Sequence, residues 1–159
     1  MNEPRLRPAV RAIVVDGEER VLLVCFDFAD RVVWAMPGGG IENEETDEQT
    51  IRRELLEEAG LQEFELGPLV WTRTHLVPLG QGRWDGQMEW YYLVRTPSFE
   101  PEPRLSWAEL RAENMVDVRW WTLDELETAK IEFAPRRLPQ LVRSLLEEGP
   151  PVDPVDVGV

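Results

Sequence analysis

The sequence contains one cysteine, no long apolar run and a shortage of positive charge. The single cysteine, Cys25, has no partner for an internal disulfide, and its apolar surroundings in the sequence favour a buried thiol in a reducing compartment. No apolar stretch approaches the length of a membrane-spanning helix, and the first residues are not followed by a signal-type apolar region. These absences predict a cytoplasmic protein that does not have a membrane as a partner.

Acidic residues dominate the charge of the chain. The 31 Asp and Glu residues oppose 17 Lys and Arg residues, which gives a formal net charge of −14. Proteins that bind along a nucleic-acid backbone need clustered basic residues, so we expect no nucleic-acid partner. A nucleotide substrate stays compatible with this charge, because a bound metal ion reverses the charge locally. With 159 residues and 43% apolar residues, the chain is expected to form one globular domain.

Apolar and β-branched runs predict six strands along the chain. The strand runs are residues 10–15, 21–26, 32–34, 64–79, 88–96 and 116–121. Strands around a helix, then strands, then helices predict an α/β fold in which helices cover both faces of a mixed sheet. We expect the domain to span residues 1–149 and residues 150–159 to form a proline-rich C-terminal tail or an extended arm.

Capping signals predict the helices. Thr46 followed by Gln49 has the pattern of a capping box, and Gly60 suits the end of that helix. A second capping pattern begins at Thr122 and predicts a short helix. Pro135 stands at a plausible first helical position for a last helix, which runs to residue 148 and stops at Gly149.

Three carboxylates lie close together on the first of these helices. Glu54, Glu57 and Glu58 have the spacing i, i+3 and i+4, and at about 100° per residue they share one arc of the helix. Carboxylates at this spacing repel each other, and a hard divalent cation such as Mg²⁺ or Mn²⁺ converts that repulsion into binding. Apolar residues on another side of the helix can pack it on a core. The pattern therefore predicts a rigid helix that holds a metal ion beside the glycine-rich segment 38–40.

The same segment resembles the Nudix box, G-x5-E-x7-R-E-U-x-E-E-x-G-U, in which U is aliphatic. The fixed positions are met by Gly39, Glu45, Arg53, Glu54, Leu55, Glu57, Glu58, Gly60 and Leu61. Residues 39–61 are called the box below. The resemblance implies an α/β/α sandwich and a divalent-metal-dependent hydrolase that cleaves a pyrophosphate bond in a nucleoside diphosphate linked to another group.

The resemblance also implies roles for residues of the box. By this resemblance Glu57 and Glu58 are metal ligands, and the carbonyl of Gly39 supplies a further oxygen ligand. Glu54 binds the metal, orients the attacking water, or does both. Arg53, next to this cluster, restrains Glu54 or pairs with Glu45. The implied cofactor is Mg²⁺ or Mn²⁺.

Members of the family often add an acid from a loop beyond the box. Glu109 and Glu113 are the candidates, and Glu113 is favoured because it directly precedes the strand predicted over 116–121. A solvated surface acid remains the alternative for either residue. The lone histidine, His75, is interpreted as a structural or surface residue.

Base recognition would use aromatic stacking and a few polar groups. Trp84 lies in the glycine-rich loop 80–87 and Trp90 lies in the strand that follows it. Both are candidates for stacking, and Arg83 could contact a phosphate or a base. We predict that Arg83 and Trp84 bind substrate, whereas Trp90 packs in the core. The alternative for each tryptophan is ordinary packing.

The expected substrate is a small-molecule nucleotide, either a nucleoside triphosphate or a nucleotide sugar, and a homodimer is left open. The alternative within the fold is a catalytically silent binding or regulatory module, although modules of that kind often lose box acids and none is lost here. A calcium-binding protein would need alternating Asp or Asn ligands around a central glycine, and the sequence contains no such loop.

Overall fold

The computed structural model describes residues 2–159, in which nine strands form one mixed sheet accompanied by four helices. The strands are β1 (Leu6–Val15), β2 (Val21–Asp27), β3 (Val32–Ala35), β4 (Gly38–Gly40), β5 (Glu65–His75), β6 (Gly86–Arg95), β7 (Met115–Trp121), β8 (Glu132–Ala134) and β9 (Val155–Asp156). The helices are α1 (Asp47–Ala59), α2 (Trp107–Ala112), α3 (Leu123–Thr128) and α4 (Leu138–Glu148). The six predicted strands are all present, with ends that differ by a few residues.

Strand β1 is the centre of the sheet. It runs parallel to β6 along all ten of its residues and antiparallel to the short glycine strand β4. Its pairing with β2 is limited to Val15 and Val21, so the two halves of the sheet separate beyond that point. The strand order is β8-β3-β2-β1-β6-β5-β9, with β4 added to β1 and β7 added to β2.

The two faces of β1 pack against different helices. Val10, Ala12 and Val14 belong to a cluster that includes the apolar side of α1. Ile13 and Val15, whose side chains alternate with these, belong to a second cluster that includes α4. All five residues are buried, and burial of apolar surface at ~25 cal/mol per Å² is the main force that holds the layers together. The α/β/α arrangement expected from the sequence is confirmed.

Two helix predictions need correction. The last helix begins at Leu138 instead of Pro135, because the residues before the proline are paired in β8 and a residue that precedes proline favours extended backbone. Helix α2 was not predicted, although Ser106 and Glu109 form a complete capping box. This is the same local signal that starts α1 and α3, and both of those capping boxes are confirmed.

The C-terminal segment packs on the sheet. Val155 and Asp156 form β9 and pair in parallel with Trp71 and Thr72 of β5. Val157 is buried in the cluster that contains α4. The segment predicted as a tail therefore supplies an edge strand and a core residue. Between residues 2 and 159 no helix combines the length and the apolarity needed to cross a membrane.

Candidate active site

Helix α1 presents the three glutamates of the box. It begins after Thr46, whose side chain accepts a hydrogen bond from the backbone of Gln49, and it ends at Gly60 in the left-handed conformation. Ile51 and Leu55 are buried against β1, and the carboxylates occupy the neighbouring arc of the helix, where Glu54 and Glu58 are buried as well. Caps at both ends and a buried apolar side fix the axial and rotational position of the helix.

The glycine strand β4 lies directly against these carboxylates. The backbone N–H of Gly38 donates a hydrogen bond of 2.9 Å to the carboxylate of Glu58. A Cβ atom at Gly39 would lie 2.5 Å from Oε1 of Glu54, so any larger residue would displace that side chain. Glycine at position 39 therefore permits the close approach between β4 and α1.

Arg53 connects the loop, the helix and the acids. Its guanidinium donates to the carboxylate of Glu45 at 2.8 and 3.0 Å, to Glu54 at 2.8 Å and to the carbonyl of Gly40 at 3.0 Å. Its Nη1 also lies 3.5 Å from the carboxylate of Glu57. Arg53 both restrains Glu54 and pairs with Glu45, the two roles that the sequence left open. Its hydrogen bonds lower the pKa of Glu45 to about 2.

Burial and mutual repulsion make the three box acids hard to ionise. Burial is the main cause that raises the pKa of Glu54, of Glu57 and, most strongly, of Glu58. The charge of Glu54 adds to the increase at Glu58, and the charge of Glu113 adds to the increase at Glu57. A bound divalent cation would relieve this repulsion and favour the ionised form of each carboxylate.

The donor set suits Mg²⁺ or Mn²⁺, since both ions prefer carboxylate and carbonyl oxygens. Because Gly39 has no Cβ, its backbone can lie close to the carboxylate of Glu54. Within the described residues, no three acidic, histidine or cysteine side chains are already drawn together closely enough to hold a metal ion. The hydrogen bond between Arg53 and Glu54 occupies one of the required oxygens, so binding would require a local rearrangement of side chains.

The structure separates the two candidates for an outer acid. Glu113 ends helix α2, and its charge affects both Glu57 and Glu58. Glu109 instead accepts a hydrogen bond of 3.1 Å from the backbone of Ser106 in the capping box. The charge of Glu113 thus acts on two of the box acids, whereas Glu109 has a structural use. The chemical role of Glu113 stays a prediction.

A cavity of about 440 Å³ has Glu113, Arg7 and Arg11 in its wall, and the two arginines contact the glycine strand β4 at Gly40 and Gly38. Its charged wall combines three acids, Asp30, Glu89 and Glu113, with four arginines, Arg7, Arg11, Arg31 and Arg73. Its aromatic wall includes Phe26 and Phe28, whose rings stack with centroids 6.0 Å apart, and Phe28 is 47% exposed.

The floor of this cavity is a buried polar cluster on β1, β5 and β6. Glu89, which is 2% exposed, accepts hydrogen bonds of 2.7 Å from both Arg11 and Arg73. Gln87 and Tyr91 donate further hydrogen bonds of 3.0 Å to the same carboxylate. Although burial opposes ionisation, the two guanidinium groups lower the pKa of Glu89 to about 2. The cluster of one carboxylate and two arginines therefore carries a net positive charge below the cavity.

This cluster was missed in the sequence. Its signal is the alternation along β6, where Gln87, Glu89 and Tyr91 lie on one face of a strand whose other residues are mostly apolar. His75 also lies in the cavity wall. Burial, followed by the charge of Arg73, lowers the pKa of this histidine and favours its neutral form.

Arg83 and Trp84, predicted to bind substrate, are not in the cavity wall. The guanidinium of Arg83 lies 5.3 Å from the centre of the Trp84 ring, so the two side chains contact each other. A β-bridge between Leu79 and Trp84 closes the loop locally, which keeps Trp84 at the turn. The geometry gives no support to their predicted role, and Leu79 rather than Trp84 reaches the cavity. Trp90 packs against the cluster beneath α1, as predicted.

Comparisons with known sequences agree with this geometry. A family model for the NUDIX domain matches residues 5–142. The chain is 28% identical over 145 residues to Nudix hydrolase 25 of Arabidopsis thaliana, covering 82% of this chain and 80% of that protein. It is 31% identical over 159 residues to an RNA pyrophosphohydrolase of Pseudomonas paraeruginosa, covering 88% of this chain and 94% of that protein.

Solved structures show a similar fold. A NUDIX hydrolase from Nitrosomonas europaea superposes with a TM-score of 0.68 at 20% identity, covering 99% of this chain and 82% of that chain. The NUDIX domain of Shewanella oneidensis NrtR, in complex with ADP ribose, superposes with a TM-score of 0.63 at 20% identity, covering 92% of this chain and 90% of that chain. At these identities the comparison establishes the likeness of the fold.

Proposed function

Because the chain belongs to the Nudix family and is a hydrolase that acts on pyrophosphate bonds, we propose that its substrate is a nucleoside diphosphate linked to a further group. A nucleoside triphosphate or a nucleotide sugar fits this class best, and the reaction depends on Mg²⁺ or Mn²⁺. The observation that carries the proposal is the cavity with four arginines, two of which, Arg7 and Arg11, contact the glycine strand β4 at Gly40 and Gly38.

The arginines of the cavity are not equivalent. Arg11 and Arg73 are both engaged by Glu89, whereas the hydrogen bond from Arg7 goes to the neutral side chain of Gln87 at 3.3 Å. Arg7 also packs against Gly40 of the box, since a Cβ there would lie 2.3 Å from its guanidinium. Arg7 is therefore the group best placed to bind a phosphate next to the box, because a guanidinium donates to phosphate oxygens in a forked geometry.

The box acids would hold the divalent cation. Glu54, Glu57 and Glu58, together with the carbonyl of Gly39, are the oxygen ligands of the proposed site. When bound, the cation supplies neutralisation of phosphate charge and the polarisation that attack by water on phosphorus requires. Arg53 keeps Glu54 beside the glycine strand, and Glu113 offers a further carboxylate at the junction with the cavity.

The aromatic wall suits the nucleoside part of such a substrate. Phe28 lies in the cavity wall and is about half exposed, and its ring stacks on that of Phe26. Stacking of a base on an aromatic side chain contributes about 1–3 kcal/mol and tolerates different bases. Asp30, also in the wall, can accept hydrogen bonds from an amino group on the base.

A second candidate substrate is the 5′-triphosphate end of RNA, because the relatives at about 30% identity are named RNA pyrophosphohydrolases. The net charge of −14 disfavours contacts along an RNA backbone, so we place free nucleotides first. The catalytically silent module is third. It agrees poorly with a box that retains every acid.

A substrate screen tests the proposal. The purified chain is incubated with Mg²⁺ or Mn²⁺ and with nucleoside triphosphates, nucleotide sugars, ADP-ribose, dinucleotides and a 5′-triphosphate RNA oligonucleotide. We expect metal-dependent release of a nucleoside monophosphate from a free nucleotide, and no release by the matched Glu57→Gln variant. Turnover of the RNA end at least ~10-fold faster than that of every free nucleotide would assign the second candidate. Nucleotide binding without turnover of any compound would assign the silent module.

A further inference from the structure

Arg11 joins the buried carboxylate under the cavity to the glycine strand of the box. Its Nε donates to Glu89 at 2.7 Å. Its Nη1 lies within hydrogen-bond distance of two backbone carbonyls, that of Met36 at 3.3 Å and that of Gly38 at 3.2 Å. The side chain of Arg11 is 13% exposed, so these contacts are largely shielded from water.

The contact with Gly38 places Arg11 one step from the proposed metal site. Arg11 faces Gly38 across the β1–β4 pairing, and a Cβ atom at Gly38 would collide with the backbone at Val10 and Arg11. The N–H of Gly38 donates to Glu58, and the next residue in the strand is Gly39, the proposed carbonyl ligand. Movement of this strand would therefore displace one proposed ligand and release the hydrogen bond to another.

Arg73 provides an internal comparison. It pairs with the same carboxylate, Glu89, at the same distance of 2.7 Å, and its side chain is 9% exposed. Its hydrogen bond in the cluster goes to Glu89, whereas Arg11 also reaches the carbonyls of residues 36 and 38. The two arginines thus share a charge partner and differ in their contact with the segment that leads into the box, at Met36 and Gly38.

We propose that Arg11, anchored by Glu89, is a positioning residue that holds the glycine strand in the geometry required for the divalent cation. The inference rests on the metal dependence proposed above, and it assigns to the cavity floor a role in metal affinity that is separate from any contact with substrate. Groups that orient metal ligands from outside typically change affinity by about 10–100-fold. The forked guanidinium suits this role, because it binds a carboxylate and backbone carbonyls at once, whereas a lysine ammonium is a single point charge.

The test compares Mn²⁺ binding by the Arg11→Met and Arg73→Met variants without nucleotide. Free Mn²⁺ is measured by electron paramagnetic resonance during titration of each folded full-length protein, and Tm is recorded in parallel. Both variants leave Glu89 with one guanidinium, so both lower Tm. We expect Arg11→Met to raise the Kd for Mn²⁺ at least ~10-fold and Arg73→Met to change it less than about twofold.

The inference is overturned if Arg11→Met binds Mn²⁺ as tightly as the parent, or if Arg73→Met weakens binding to the same extent. Should Arg11→Met not fold, Arg11→Lys keeps the positive charge while losing the fork, and parental affinity in that variant overturns the inference equally. A parent protein that does not bind Mn²⁺ contradicts the proposed metal dependence and this inference together. A parent that binds Mn²⁺, with both arginine variants alike, contradicts this inference alone.

Discussion

Replacing Gly39 with alanine should separate the geometry of the metal site from the stability of the fold. The added Cβ would lie 2.5 Å from Oε1 and 2.8 Å from Cδ of Glu54. Ordinary contact begins near 3.4 Å, so the carboxylate oxygen has to retreat by about 0.9 Å. The atom that must move is the end of a flexible side chain, and the overpacking should therefore cost only about 1 kcal/mol of stability.

The same displacement should be costly for catalysis. A shift of about 1 Å in a positioned group can lower the rate ~100-fold, and we expect a loss of that size in kcat/KM for Gly39→Ala. The matched control is Gly17→Ala in the β1–β2 turn, where an added Cβ has no atom within 4 Å. Kinetics and thermal unfolding of both variants provide the measurement. Parental kcat/KM in a folded Gly39→Ala variant would refute the close coupling of β4 to Glu54.

Three further predictions concern the acids and the aromatic wall. Because burial and a neighbouring carboxylate raise the pKa of Glu58, the native chain without metal retains a proton that the unfolded chain releases. The stability of the metal-free protein should then fall as pH rises from about 4.5 through the raised pKa, while Mg²⁺ binding strengthens. The increase in Tm that Mg²⁺ produces should therefore grow with pH, and a Tm series in which it stays constant contradicts this prediction. Glu113→Gln should lower kcat with little change in Tm, whereas Glu109→Ala, which removes the capping-box acceptor, should lower Tm and leave kcat intact. Equal kcat values for Glu113→Gln and the parent would remove Glu113 from the site. Phe28→Ala should raise KM about tenfold and Trp84→Ala should not, and the reverse pattern in steady-state kinetics would restore the loop tryptophan as the stacking residue.

Local signals explain what the sequence could predict. The start of α1 is encoded by Thr46 and Gln49 and its end by Gly60, all within a few residues of the positions they fix. The three glutamates share one side of that helix by periodicity alone. Helix α2 was equally readable, because Ser106 and Glu109 give the same capping pattern.

Contacts between distant parts of the chain explain what the sequence could not predict. Arg11 and Glu89 are 78 positions apart, and they meet because β1 and β6 pair in parallel in one register. A shift of one residue in that register would place the charges on opposite faces of the sheet. The loop that carries Trp84 is a different case, because Leu79 and Trp84 pair locally and only Leu79 lies in the cavity wall.

The central claim is that the box acids, with a divalent cation, carry out pyrophosphate hydrolysis. Its most direct test is product release from the best nucleotide of the screen, measured on chelator-treated protein before and after addition of Mg²⁺, for the parent and for Glu58→Gln. Glutamine keeps the volume of the side chain and an acceptor oxygen for the N–H of Gly38, so the variant should stay folded while losing the charge. We predict hydrolysis by the parent that appears with Mg²⁺, and a kcat at least ~100-fold lower for the variant at the same Mg²⁺ concentration. Equal hydrolysis with and without chelator, or parental kcat in a folded Glu58→Gln variant, would contradict the account.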